Sequence, residues 1–384
     1  MRGPFFPGAG TSPFRLEGRD DELRTWHRML TDLAVFGQTQ ARHLVVQGVR
    51  GVGKTSLLKQ FAEDALIEGC LAVRVRCQTS GRESLMERVR HAVDAALEHR
   101  DLAAEHGRVV RAAVSTPVGG LEVERELSRP TGLTDTDFMQ FLVDATAEVK
   151  GRGGTGVALL VDETQYADRT SLVNLSELVS LIGERDADKP PLLLCFAGLP
   201  TDTAEKVARS SSHAERVYRT ITLGYLDRAS TRDALLLPVQ QAGGQWEADA
   251  LERAVEVTGG YPAFIQEYGQ AIWELRRGER IDAAVVADGI TAARPQIEAY
   301  FEGAWTAAPP LARSCLVALA EAGGRARMRE LAQALGRGSS SEISWAVEEL
   351  RQRGTVLKPE RGVVVFGRSG MAEWVLEHHA EDQP

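Results

Sequence analysis

Gly48-Val49-Arg50-Gly51-Val52-Gly53-Lys54-Thr55 is the stretch on which the reading of this chain turns. It fits the pattern G-x-x-x-x-G-K-[ST] in full. An apolar run, Leu44–Gly48, leads into it, and a helical pattern over residues 54–68 follows. Buried strand, glycine-rich loop and helix are the context in which this pattern binds phosphate. Glycines let the backbone fold tightly enough for successive N–H groups to face phosphate oxygens. The helix adds its positive N-terminal end. Lys54 is placed to reach the β- and γ-phosphates, and the Thr55 hydroxyl to ligate Mg²⁺. Residues Gly48, Val49, Arg50, Gly51, Val52, Gly53, Lys54, Thr55 and Ser56 are therefore the candidate nucleotide-binding set.

Two further apolar runs, Val157–Asp162 and Leu192–Gly198, read as strands buried on both faces of a parallel sheet. Leu71–Cys77 alternates instead, as an edge strand does, and Thr220–Leu223 is a fifth short strand. Helical patterns cover residues 54–68, 83–99, 138–149 and 172–182. Strand–helix alternation of this kind gives an α/β layer fold. Residues 101–135 break the rhythm and read as an irregular insertion. Beyond about residue 226 the pattern is helical only, over residues 229–241, 248–258, 262–276 and 283–301. Pro238 and Pro295 are expected to kink or split the first and last of these. From about residue 303 come three short helices (310–322, 328–335, 341–353) and two strands (355–358, 363–366), the pattern of a winged helix-turn-helix.

The strand Val157–Asp162 delivers Asp162 to its tip, where it can hold Mg²⁺, with Glu163 beside it as general base for an attacking water. An acid pair, in place of a lone Asp, favours hydrolysis over mere binding.

Composition narrows the classes. The 384 residues hold 54 acidic and 45 basic side chains, a net charge of −9. That argues against a polybasic nucleic-acid wrapper, though not against a local basic patch. A hydrophobic content of 43% is ordinary for a globular chain. Cys70, Cys77, Cys195 and Cys315 show no zinc spacing and read as buried thiols in a reducing cytosol. Met1-Arg2-Gly3-Pro4-Phe5 lacks the apolar region of a signal peptide, and the longest apolar run, residues 192–199, is too short to span a bilayer. The expected location is the cytoplasm, in soluble form.

With these motifs in place, the chain resembles AAA+ ATPases of the origin-recognition type, in the prokaryotic branch that merges with the STAND signalling ATPases. The entry segment Phe6-Pro7-Gly8-Ala9-Gly10-Thr11-Ser12-Pro13, followed by Leu16-Glu17-Gly18-Arg19-Asp20-Asp21-Glu22-Leu23, is similar to that family's box before the phosphate loop, which packs by the adenine. Asp162-Glu163-Thr164-Gln165 resembles its D-E-x-Q. The resemblance implies a P-loop NTPase (AAA+-like) parallel sheet with a helical lid and a C-terminal winged helix. The expected division is residues 1–226, 227–302 and 303–384. It also implies ATP, since no guanine-specificity motif is present, with Mg²⁺ as cofactor. Where the family places sensor 1, the strand tip here is Gly198 and the first polar side chain is Thr201. Arg209, Arg216 and Arg219 precede the fifth strand; Arg216, in His213-Ala214-Glu215-Arg216, fits best the arginine finger that acts on a neighbour in a homo-oligomer. Gly259-Gly260-Tyr261-Pro262 resembles the G-x-P motif of STAND ATPases, with Pro262 at the nucleotide, and no sensor 2 arginine occupies the next turn.

From residue 303 onward ten basic residues meet ten acidic ones, and the helix 341–353 carries Glu342, Glu348 and Glu349 against Arg351 and Arg353. Acids there repel phosphates, while Ser339, Ser340, Ser341 and Arg361 offer backbone contacts. Three functions stay open on the sequence. One is an ATPase that assembles or remodels, with double-stranded DNA as a partner through the winged helix. Another is a nucleotide switch in signalling or defence, released by a protein partner. The third is a protein that keeps ATP as a structural ligand.

Overall fold

The computed structural model describes residues 3–8, 10–39, 42–78, 83–98, 135–183, 189–200 and 214–379. The expected insertion over residues 101–135 lies outside them except for its last residue, and so do Thr201, Arg209 and His213. The chain forms two compact units. One comprises Asp20–Gly48 and Leu57–Thr222; the other comprises Met1–Arg19, Val49–Ser56 and Leu223–Pro384.

The first unit is built on a five-stranded sheet. Its strands are β1 (His43–Gly48), β2 (Leu71–Arg76), β3 (Val157–Asp162), β4 (Leu192–Gly198) and β5 (Tyr218–Leu223), in the order β2-β3-β4-β1-β5. β2 with β3, β3 with β4 and β4 with β1 pair parallel. β3 and β4 are buried at every position, as their unbroken apolar runs require. β2 alternates and lies at an edge, as expected. The helices are α1 (Asp20–Phe36), α2 (Lys54–Ile67), α3 (Leu85–Glu98), α4 (Asp135–Gly151), α5 (Arg169–Gly183) and the short α6 (Ala214–Val217). α1 went unassigned in the sequence, although Asp20, Asp21 and Glu22 mark its first turn. Its Trp26 stacks on Phe61 of α2 at 4.7 Å between ring centroids and donates from Nε1 to the Phe61 carbonyl.

The second unit continues with α7 (Arg228–Gln241), α8 (Ala248–Thr258), α9 (Pro262–Leu275) and α10 (Ala283–Thr306). Two-residue strands β6 (Gln245–Trp246) and β7 (Arg280–Ile281) pair between them. Pro238 and Pro295 do not split their helices. α7 and α10 each run through the proline as one element, giving up one backbone donor at that position. Then follow α11 (Pro310–Glu321), β8 (Arg325–Arg327), α12 (Met328–Ala334), α13 (Ser344–Gln352), β9 (Val356–Leu357), β10 (Val363–Phe366) and α14 (Met371–His379). The expected two-strand hairpin is a three-stranded antiparallel sheet, β8-β10-β9. β8 is three residues long with one buried side chain, too brief to show as a pattern. One continuous apolar core runs from Phe5 through Phe264, Ile272 and Phe301 to Leu350 and Trp374. All four cysteines are buried and unbridged.

Candidate functional site

The loop after β1 takes its shape from two left-handed glycines, Gly51 (φ 74°) and Gly53 (φ 98°). Only glycine adopts this conformation without steric cost. α2 begins at Lys54, whose buried side chain reaches back across the loop and donates to the Val49 carbonyl at 3.0 Å. The rest of the second unit grips the loop at four successive residues. Gly354 sits so close to Val49 that a Cβ at 354 would lie 2.4 Å from the Val49 Cβ. The Tyr261 hydroxyl donates to the Arg50 carbonyl at 2.7 Å. A Cβ on Gly51 would lie 2.2 Å from the same hydroxyl. The Arg19 guanidinium, itself buried, donates to the carbonyls of Val52 (3.1 Å) and Gly224 (2.7 Å). Ser56 donates from its hydroxyl to the Thr11 carbonyl at 3.2 Å, tying the entry segment to the start of α2.

The acid pair belongs to the other unit. Asp162 is buried at the end of β3, and its Oδ1 accepts the Glu163 N–H at 2.9 Å. Its carbonyl accepts from Cys77 N at 2.9 Å, beyond the end of β2. Burial pushes the Cys77 thiol up to about 12, so it stays protonated. Burial also lowers the Arg74 guanidinium, while Asp162 opposes that shift. Glu163 has φ 57° and ψ 40°, and among the described residues no other non-glycine residue has positive φ. Its carboxylate accepts from Gln165 Nε2 and lies 3.8 Å from Arg76. Gln165 Oε1 in turn accepts the Leu199 N–H at 3.3 Å, just past β4, and Thr164 donates to the Ala197 carbonyl at 3.1 Å. Gln165 thus joins Glu163 to the residue that follows β4.

Arg216 lies in α6, exposed and without an ion pair among the described residues; Arg219 is also exposed. Pro262 is the first residue of α9. Arg19, Gln165, Arg76 and Gly354 carried no assigned role in the sequence, nor did Tyr261. Arg19 and Gln165 lie inside the motifs Leu16–Leu23 and Asp162–Gln165, and that placement is the signal that points to them. Arg76 required strand pairing, and Gly354 and Tyr261 required tertiary contacts.

Residues 15–194 match the model of the AAA ATPase domain, a range that includes both Lys54 and the Asp162-Glu163 pair. Residues 298–375 match a domain of unknown function, DUF8462. No curated protein matches the chain by sequence. Among solved structures, the Walker-type ATPase PABY2304 of Pyrococcus abyssi shares 15% identity at a TM-score of 0.61, over 94% of this chain and 98% of that one. The ORC2 protein of Aeropyrum pernix shares 13% identity, also at a TM-score of 0.61, over 98% of this chain and 97% of that one. Both show a common fold. No helix among the described residues is long and apolar enough to cross a membrane. The sheet, its helices and the phosphate loop have the architecture of a P-loop AAA+ fold.

Proposed function

We propose that the chain binds and hydrolyses Mg²⁺-ATP, and that the loop's conformation couples nucleotide state to the lid (residues 227–302) and to the C-terminal module (303–384). The observation that carries this reading is the grip on Val49, Arg50, Gly51 and Val52 by Gly354, Tyr261 and Arg19. A loop meant only to hold a nucleotide statically has no need of contacts from three distant segments. The residues fit the ligand. Two left-handed glycines, a buried lysine and a helix start are the donor set for phosphates. The Thr55 hydroxyl and the Asp162 carboxylate are oxygen ligands suited to Mg²⁺. When bound, Mg²⁺ neutralises charge developing on the phosphate oxygens. Lys54 neutralises the β- and γ-phosphates. Glu163 accepts the proton of the attacking water, with Gln165 and Arg76 steering its carboxylate. Pro262 meets the base, and Arg216 serves a neighbouring copy in a homo-oligomer.

Between a DNA-directed motor and a protein-operated switch, the C-terminal charges favour the switch. Read as a winged helix, the module presents α13, where Arg351 pairs with Glu348 and Arg353 with Glu349. Lys358 also pairs with Glu348, at 3.3 Å. Hydrogen bonding from Arg351 holds the Glu348 carboxyl down at about 2, so the acid stays ionised at any working pH. Cations neutralised in this way gain little from duplex phosphates. Trp345, at the start of the same helix, is 54% exposed, an anchor of the type protein interfaces use.

The test is phosphate release from ATP by wild type and Glu163→Gln, with and without duplex DNA at low salt. The expected result is slow release, unchanged by DNA and reduced at least about 100-fold by the substitution. Release that survives Glu163→Gln overturns hydrolysis by this site, and strong stimulation by DNA overturns the switch.

A further inference from the structure

We propose that Tyr261 is the positioning residue of the phosphate loop, and that Arg368 of the C-terminal module holds it there; this rests on the loop's being a nucleotide site. The local sequence aims the tyrosine. Gly259 and Gly260 follow α8 with φ of 57° and 71° and turn the chain sharply. A Cβ at Gly260 would fall 2.3 Å from the Leu226 carbonyl oxygen, so no larger residue permits the turn. Tyr261, 1% exposed, then caps α9 with its ring against Tyr225 (5.1 Å) and Phe264 (4.9 Å). That leaves the hydroxyl directed at the Arg50 carbonyl.

Anchoring that carbonyl fixes more than one atom. The Arg50 C=O and the Gly51 N–H share a planar trans peptide and point in opposite directions. A carbonyl held toward Tyr261 therefore turns the Gly51 N–H to the loop's other side, where a phosphate is to be bound. Lys54 on the Val49 carbonyl and Arg19 on the Val52 carbonyl set the N–H groups of Arg50 and Gly53 in the same way. Of these three anchors, Tyr261 is the one supplied by the lid.

Arg368, between β10 and α14, makes the tyrosine responsive to the C-terminal module. It is buried, its guanidinium carbon lies 5.7 Å from the Tyr261 ring centroid, and it donates to the Tyr300 carbonyl at 2.9 Å. A displacement of the segment 367–370 withdraws the cation from the ring and frees the tyrosine to leave the loop. The chain Arg368, Tyr261, Arg50 is thus a physical route from the C-terminal module to the nucleotide.

The experiment uses the full chain loaded with mant-ADP and Mg²⁺ and chased with excess ATP in a stopped-flow instrument. Tyr261→Phe keeps the ring and removes the hydroxyl. Loss of the one part-buried hydrogen bond to the Arg50 carbonyl is expected to speed release about two- to tenfold. Arg368→Met is expected to act in the same direction, Arg368→Lys less, and the Tyr261→Phe/Arg368→Met double variant no more than the stronger single. Val286→Ala opens a cavity in the same lid core away from the loop and is expected to lower the melting temperature with release unchanged. Wild-type release rates in Tyr261→Phe overturn the positioning role. Additive effects in the double variant overturn the link to Arg368, and Arg368→Lys carries that comparison if Arg368→Met does not fold. A wild type that fails to bind mant-ADP overturns instead the nucleotide reading beneath both.

Discussion

Replacing Glu163 by glycine is expected to make the protein more stable than replacing it by alanine, while both changes abolish hydrolysis. Glu163 sits at φ 57° and ψ 40°, where an L-residue with a Cβ carries roughly 1–2 kcal/mol of strain. Alanine removes the carboxylate but keeps the Cβ, and so keeps the strain. Glycine removes both, at a cost of roughly 0.5–1 kcal/mol for its freer unfolded chain. At the midpoints of those ranges the glycine variant should therefore exceed the alanine variant by roughly 0.75 kcal/mol. The contacts to Gln165 and Arg76 are lost in both variants and cancel. Urea unfolding at pH 7 reads the difference as a midpoint shift of about 0.3 M at ordinary m-values. Phosphate release is the parallel assay, and neither variant should show it. An alanine variant as stable as the glycine one would refute the reasoning, because the left-handed backbone would then hold no strain. A glycine variant that still hydrolyses ATP would refute the role given to the carboxylate.

Two further outcomes follow from buried groups elsewhere in the chain. His43, at the start of β1, accepts the Leu194 N–H on Nδ1 at 3.1 Å, and burial lowers its pKa from 6.5 to about 4. The neutral form is the folded form, so its stabilisation is complete above 6.5 and is lost as pH falls toward 4. Relative to His43→Gln, wild type should lose about 2 kcal/mol between pH 7 and pH 5 in urea unfolding, and a pH-independent difference would contradict this. Arg19→Lys cannot reproduce the two-carbonyl grip on Val52 and Gly224, and should weaken mant-ADP binding about tenfold while the far-UV circular dichroism stays unchanged; wild-type affinity would remove Arg19 from the loop's support.

How much of this was legible in the sequence depended on the range of the interaction concerned. Strands β1, β3 and β4 were legible because a strand buried on both faces must be apolar throughout, and that requirement is local. The edge position of β2 was legible for the converse reason: its alternation reports one wet face. The loop and the acid pair stand out in the sequence because the phosphate and metal chemistry proposed for them demands fixed residue types at fixed spacing. Helix α1 carries a local signal too, in its acidic first turn and in the buried stripe Trp26, Met29, Leu30 and Leu33. β6, β7 and β8 span two or three residues each, and no periodicity exists over so short a length.

What the sequence concealed is instructive in Gly259-Gly260-Tyr261-Pro262. Pro262 is legible locally, since proline suits the first turn of a helix. Gly259 is the left-handed cap that ends α8, a local role, but Gly260 and the tyrosine owe their identity to contacts more than thirty residues away. Gly260 answers to the Leu226 carbonyl, and the Tyr261 hydroxyl answers to the Arg50 carbonyl. Local preference is indifferent to a hydroxyl at 261, since phenylalanine would fill the same apolar space and cap α9 equally well. A polar atom retained where an apolar isostere would pack as well points to a demand from elsewhere, and here that demand is a carbonyl on the phosphate loop. Glu163 shows the same logic in the backbone, for a strained glutamate stands where an unstrained glycine would fold more readily. In both places the sequence departs from what folding alone would choose; one departure contacts the phosphate loop and the other lies in the acid pair proposed to act with it.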